Sequence, residues 1–161
     1  MNRKTKPPAE PAIPRPGEGK RGTEGHLGYL VRQANVAVRA AMEKALADID
    51  ATPAQFAVLT MIAAYPGASG ADLARLTFLT PQTINVIVRN LEKVGAIEKS
   101  AHAVHGRILR LNATAKGQAL LKRCRSRVME VEDRISGLAG RSDERAIRRW
   151  LSAVATELGG R

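Results

Sequence analysis

Apolar residues in this chain recur at three- and four-residue steps over most of its length after His26, the mark of helices with one buried face. From His26 to about Asp48, Leu27, Val31, Ala34, Val38, Ala41, Ala45 and Ile49 form one stripe, widened by Leu30 and Met42. This predicts a long amphipathic helix. Thr52-Pro53 opens a second helix, because threonine suits an N-cap and proline the first helical position. It carries Phe56, Leu59, Ile62 and Ala63 up to the breaker Tyr65-Pro66-Gly67. Phe56 and Tyr65 are candidates for core or for a ligand pocket, core being the simpler assignment.

Two shorter helices follow. Ser69 caps Gly70 to Leu76, with Asp72 in the slot where a carboxylate completes a capping box. Thr80-Pro81 starts another helix running to about Val94, where Gly95 suits a left-handed stop. Ile84, Ile87, Val88 and Leu91 make its apolar stripe, and Gln82, Thr83, Asn85, Arg89, Asn90 and Lys93 fall mostly elsewhere. Ala96–Ser100 and Arg107–Leu111 then read as two short strands, joined by a tip that contains His102 and His105. Thr114 caps a long helix whose seam is Leu121, Cys124, Val128, Val131, Ile135 and Leu138, and Gly140 breaks it. Ser142-Asp143-Glu144 is expected to begin a final helix striped by Ile147, Leu151, Val154 and Leu158.

The predicted fold class is therefore mainly α: a winged helix-turn-helix with a small β-hairpin wing, plus long N- and C-terminal helices. A helix-turn-helix followed by a basic hairpin places a reading helix and a wing against adjacent parts of a DNA duplex. Three long striped helices exceed what one small reading head can cover, which points to a homodimer. Gln, Asn and Arg can make paired hydrogen bonds to base edges in the major groove, and Ser or Thr bonds phosphate oxygens.

Composition sharpens this. At 161 residues the chain suits one domain, and its aromatic content of 3% leaves Leu, Ile, Val, Ala and Met to build the core, as helices on helices do. A formal charge of +11 argues for a polyanionic partner, and residues 71–110, the proposed reading head, hold six basic and three acidic side chains. Residues 1–25 hold five prolines and almost no large apolar side chains, so a disordered basic extension is expected there. They contain no apolar run of the kind a secretory signal needs, and nothing elsewhere reaches the length of a membrane span, so a cytoplasmic location is expected. The single cysteine, Cys124, excludes an internal disulfide framework and, lying on an apolar seam, reads as an inert buried thiol.

At this point the chain resembles the MarR family of bacterial winged-helix regulators. The likeness rests on Ser69-Gly70-Ala71-Asp72-Leu73-Ala74, on Thr80-Pro81-Gln82-Thr83 through Arg89-Asn90-Leu91-Glu92-Lys93-Val94-Gly95-Ala96-Ile97, and on Arg107 followed by Thr114-Ala115-Lys116-Gly117. It covers about residues 26 to 160 as a single domain, with a DNA-binding lobe at about 52–112 and dimerisation helices at about 26–49 and 114–160. In this family the wing usually carries an Asp shortly before a minor-groove Arg; Arg107 falls at that Arg, and His105 stands where the Asp would be.

The resemblance implies a homodimer on a pseudo-palindromic operator in double-stranded DNA, acting as a repressor. In such a complex Gln82, Thr83, Asn85 and Arg89 are expected at base edges or nearby phosphates, Ser69 and Thr80 or Asn90 on phosphates, and Arg107 in the minor groove. It also implies a small anionic or phenolic effector between the dimerisation helices and the reading head, for which Tyr29, Arg32, Met42 and Phe56 are candidates. No cofactor and no metal site is expected, since the histidines have no Cys or acidic partner at ligand spacing. No Gly-rich phosphate loop, paired carboxylates or nucleophile–His constellation suggests an enzyme. The competing readings are a helical protein-interaction module and a sequence-indifferent DNA coat.

Overall fold

The structure, a computed structural model, describes residues 12–101 and 109–159. The chain divides into two compact units, one ending at Val38 and the other beginning at Arg39. Helix α1 (Leu27–Leu46) runs through this boundary. Within the first unit the described part of the expected extension contains a 3-10 turn at Gly19–Arg21. The Arg21 guanidinium donates to the Pro14 carbonyl at 3.0 Å, and the Gln33 amide of α1 donates to the Arg21 carbonyl at 3.0 Å.

The second unit continues from α1 through a 3-10 turn at Ala47–Ile49 into α2 (Pro53–Ala64). Thr52 and Gln55 close a reciprocal capping box there: the Gln55 N–H donates to Thr52 Oγ1 at 3.1 Å and the Thr52 N–H to Gln55 Oε1 at 2.8 Å. Then come α3 (Gly70–Thr77), α4 (Pro81–Lys93), the strands β1 (Ile97–Ala101) and β2 (Leu109–Ala113), and the long helices α5 (Ala115–Gly137) and α6 (Arg141–Leu158). The strands pair antiparallel from Ile97↔Ala113 to Ala101↔Leu109.

One core holds Val58, Leu59 and Ile62 of α2, Leu73 of α3, the stripe Ile84, Ile87, Val88 and Leu91 of α4, and Ala96, Ile97, Leu111 and Leu121. A second, smaller cluster gathers Leu46, Ile49, Cys124 and Val128. Phe56 and Leu120 pack against both. Helix α2 thus lies between the reading helices and α5, and it has little room for polar groups; the Thr60 hydroxyl is buried there without a hydrogen-bond partner.

Several expectations need correcting. The second strand is described from Leu109 and runs past the expected end at Leu111 through Asn112 and Ala113, because backbone pairing with β1, not side-chain alternation, defines it. Arg107, His102 and His105 lie outside the described residues. Ser142 is not the cap of the last helix. Gly140 holds that position, its carbonyl accepting from the Asp143 and Glu144 N–H groups at 2.9 and 3.0 Å, so the helix starts two residues earlier, at Arg141. Tyr65 is no core residue: it ends α2 with 54% of its surface exposed, whereas Phe56 is half-buried.

Candidate nucleic-acid interface

Helix α3 is held at its start by a dense set of bonds. The Ser69 hydroxyl and Ser69 N–H both donate to Asp72 Oδ2, at 2.7 and 3.0 Å, and the Asp72 N–H donates back to Ser69 Oγ at 3.2 Å. Arg75 adds a bond to Asp72 Oδ1 at 2.5 Å. The Ser69 hydroxyl first, then its backbone N–H and the Arg75 guanidinium, hold the Asp72 carboxyl down at about 2. The one proton of Ser69 is thereby committed to Asp72, so this hydroxyl reaches a phosphate only by exchanging that bond.

Helix α4 begins as predicted, with Pro81 at its first position and the Thr83 N–H donating to Thr80 Oγ1 at 3.2 Å. The Thr80 and Thr83 hydroxyls also bond each other at 2.9 Å. Burying Ile84, Ile87, Val88 and Leu91 turns Gln82, Asn85, Arg89 and Asn90 outward, and all four are exposed; Thr83 is half-buried. Val86 lies on the same outer surface with 53% of its area exposed. It escaped the sequence reading because it is out of phase with the apolar stripe, and that phase is the only signal that could have found it. An exposed valine on a reading helix is suited to a thymine methyl group.

The helix ends in a Schellman motif: Gly95, at φ 71°, donates to the Glu92 carbonyl at 2.8 Å and Ala96 to the Leu91 carbonyl at 2.8 Å. The chain then enters the hairpin, whose base is tied to the start of α3. Gly67 N–H donates to Leu111 O at 3.0 Å and Leu111 N–H to Ala68 O at 3.2 Å, so the segment before α3 acts as a third, one-residue strand.

These connections place Gly70 of α3, Asn85 and Arg89 of α4, and Lys99 and Leu109 of the hairpin around one cleft of about 250 Å³. Lys99 is paired with Glu92 at 2.5 Å, so the acid of the reading helix and one cation of the hairpin neutralise each other. The cleft gathers amide and guanidinium donors on a single side of the head. That arrangement suits a phosphate backbone and the base edges beside it.

The proposed effector residues are distributed over both units. Tyr29 and Arg32 are exposed in the first; Met42 and Phe56, in the second, are half-buried and pack on the cluster around Leu46 and Cys124. Cys124 is 1% exposed, and burial pushes its thiol pKa up. Among the described residues no group of three His, Cys, Asp or Glu is placed to hold a metal, and no helix is long and apolar enough to cross a membrane.

The helix-turn-helix, the hairpin at its exit and the flanking long helices define a winged helix-turn-helix protein. Residues 49–108 match the sequence model of the MarR family. The chain is 33% identical over 131 residues to the HTH-type transcriptional repressor Rv2887 of Mycobacterium tuberculosis, covering 81% of this chain and 94% of that one. Among solved structures it resembles the M. tuberculosis protein Rv2887 in complex with salicylic acid, at 33% identity and a TM-score of 0.66 over 81% of this chain and 96% of the other. It also resembles the transcriptional repressor CouR bound to a 23-mer DNA duplex, at 28% identity and a TM-score of 0.76 over 82% and 94% of the two chains. The chain belongs to the MarR family, whose members are transcriptional regulators and not an enzyme class.

Proposed function

We propose that this protein is a cytoplasmic, non-enzymatic repressor that binds a pseudo-palindromic operator as a homodimer and is modulated by a small acidic or phenolic ligand. The observation that carries this reading is the division of α4 into a fully buried stripe and an outer face of Gln82, Asn85, Val86, Arg89 and Asn90. Gln82, Thr83, Asn85 and Arg89 meet base edges or adjoining phosphates, Ser69, Thr80 and Asn90 meet phosphates, and Arg107 enters the minor groove. The relatives support the same reading: one is named a repressor, and one solved relative is complexed with salicylic acid.

Dimerisation is supported by apolar surface that the described chain leaves open. Ile147, Trp150 and Leu151 of α6 are 45%, 39% and 47% exposed, and Leu138 at the end of α5 is 91% exposed. A stripe of that kind is stable in water when a second copy covers it. In such a dimer Tyr29, Arg32, Met42 and Phe56 are the residues assigned to the effector.

Fluorescence anisotropy against DNA upstream of the protein's own gene and against a scrambled duplex, over a salt series, tests the reading. A thousandfold preference or more for the native duplex, of the order seen for specific sites, is the expected result. Equal binding to both would favour a sequence-indifferent coat, and no binding at low salt would favour a protein partner.

A further inference from the structure

Where the reading helix ends, the carbonyls of Gly95 and Ala96 are both taken by the start of α5. The Thr114 hydroxyl donates to the Gly95 carbonyl at 2.7 Å, and the Thr114 N–H donates to the Ala96 carbonyl at 3.0 Å. The same hydroxyl accepts from the Gly117 N–H at 3.1 Å, which caps α5. Gly117 is buried in the first turn of α5, and a Cβ placed there would stand under 3.0 Å from both the carbonyl oxygen and the carbonyl carbon of Ala96. Those atoms are backbone and cannot swing aside. Glycine is a poor helix former, so its use here corresponds to the close approach of two backbones.

We propose that Thr114 and Gly117 are positioning residues: they bolt the exit of the reading helix to α5, so that the direction of α5 sets the separation of the two reading helices in the dimer. The inference rests on the homodimeric DNA-binding reading. Its physical content is that one residue serves three bonds across two elements. The Schellman motif stops α4 within the reach of Thr114, and the missing Cβ of Gly117 lets the helices close. With no slack at this joint, a rotation of α5 carries α4 with it. A packed joint of that kind has discrete arrangements rather than a continuous range.

The test uses the full chain and the highest-affinity two-fold duplex recovered by in vitro selection on the native protein. The two half-sites are then moved apart or together by one base pair, which rotates one against the other by about 35°. The native protein is expected to lose about tenfold or more on either change. Thr114→Val and Gly117→Ala are expected to bring that ratio to within about threefold, while Thr114→Ser, which keeps the hydroxyl, retains it. A purely structural role would lower affinity equally at all three spacings and leave the ratio unchanged, and that result overturns the proposal. If Gly117→Ala does not fold, the Thr114 pair decides by itself. A native protein for which selection enriches no duplex overturns the regulator reading and this proposal with it, whereas an unchanged ratio overturns the proposal alone.

Discussion

The Lys99 ammonium stands 2.5 Å from the Glu92 carboxylate, joining the hairpin to the last turn of the reading helix, with 28% and 42% of the two side chains exposed. A pair so open to water contributes little to folding, about 0–1 kcal/mol. Its importance is electrostatic. Glu92 places a negative charge beside the surface proposed for phosphates and occupies one of the cations there. Glu92→Gln is therefore expected to tighten DNA binding and to steepen the salt dependence by about one unit of log K against log salt, because Lys99 becomes available to a phosphate. Lys99→Gln is expected to leave that slope nearly unchanged. Anisotropy titrations at four salt concentrations check both.

Arg89 sits in the middle of the outer face of α4 and lines the cleft with Asn85 and Lys99. If its guanidinium bonds a base, Arg89→Ala is expected to reduce discrimination against the wrong base at one position by about 1–3 kcal/mol. Affinity for scrambled DNA should fall far less. Competition with single-base operator variants measures the difference.

Phe78 occupies the turn between α3 and α4 at φ 56°, with 82% of its surface exposed. The left-handed conformation costs an L-residue about 1–2 kcal/mol, and its ring recovers little of that by burial. Phe78→Gly removes the strain but adds about 0.5–1 kcal/mol of chain entropy lost on folding. A net stabilisation of about 0.5–1 kcal/mol is expected in urea unfolding. Asp50, also left-handed at φ 56°, should gain less from the same change, since aspartate tolerates that region.

Asp72 makes the cap of α3 sensitive to acid. Its carboxyl is lowered from the ordinary 3.8 to about 2 in the folded protein, chiefly by the Ser69 hydroxyl. A lowered folded-state value means that the stabilisation is complete above about 3.8 and is lost as the pH falls through about 2. Asp72→Asn is accordingly expected to lower the urea midpoint at neutral pH, and the gap to the native protein should close between pH 4 and pH 2. Midpoints measured across that range would contradict this account if the gap stayed constant.

Cys124 is buried on α5 beside Leu46 and Val128, and desolvation raises its thiol pKa. It is expected to react with a thiol reagent only at the rate at which the protein unfolds. Mild peroxide should leave DNA affinity unchanged, and a rapid loss of affinity would assign the thiol a sensing role.

Much of this architecture was legible in single residues. Thr52, Ser69, Thr80 and Thr114 each head the helix predicted for them, because a hydroxyl that accepts from an N–H three residues on acts entirely within its own segment. The stripe of α4 also indicated, without any neighbour being known, that Gln82, Asn85, Arg89 and Asn90 turn outward. Where the competing signal was another local one, the reading slipped: a serine before two acids resembled a cap more than Gly140 did, although the backbone carbonyl of Gly140 takes the first two bonds of α6.

By itself, then, the sequence determined the helix starts that a threonine or serine hydroxyl caps at Thr52, Ser69, Thr80 and Thr114, the buried stripe of α4 and the family, since each depends on spacing along the chain or on matched residues. The tertiary structure alone decided what meets across distance in sequence. It paired Glu92 with Lys99 and left Tyr65 at the surface; it also closed the Gly95–Ala96 exit onto Thr114 and Gly117. No periodicity encodes such contacts, because they depend on how separate elements approach one another. The physical reason is that caps and stripes are properties of one segment's own geometry, whereas joints and ion pairs depend on the angle and distance between segments, which packing sets only when all of them are in place.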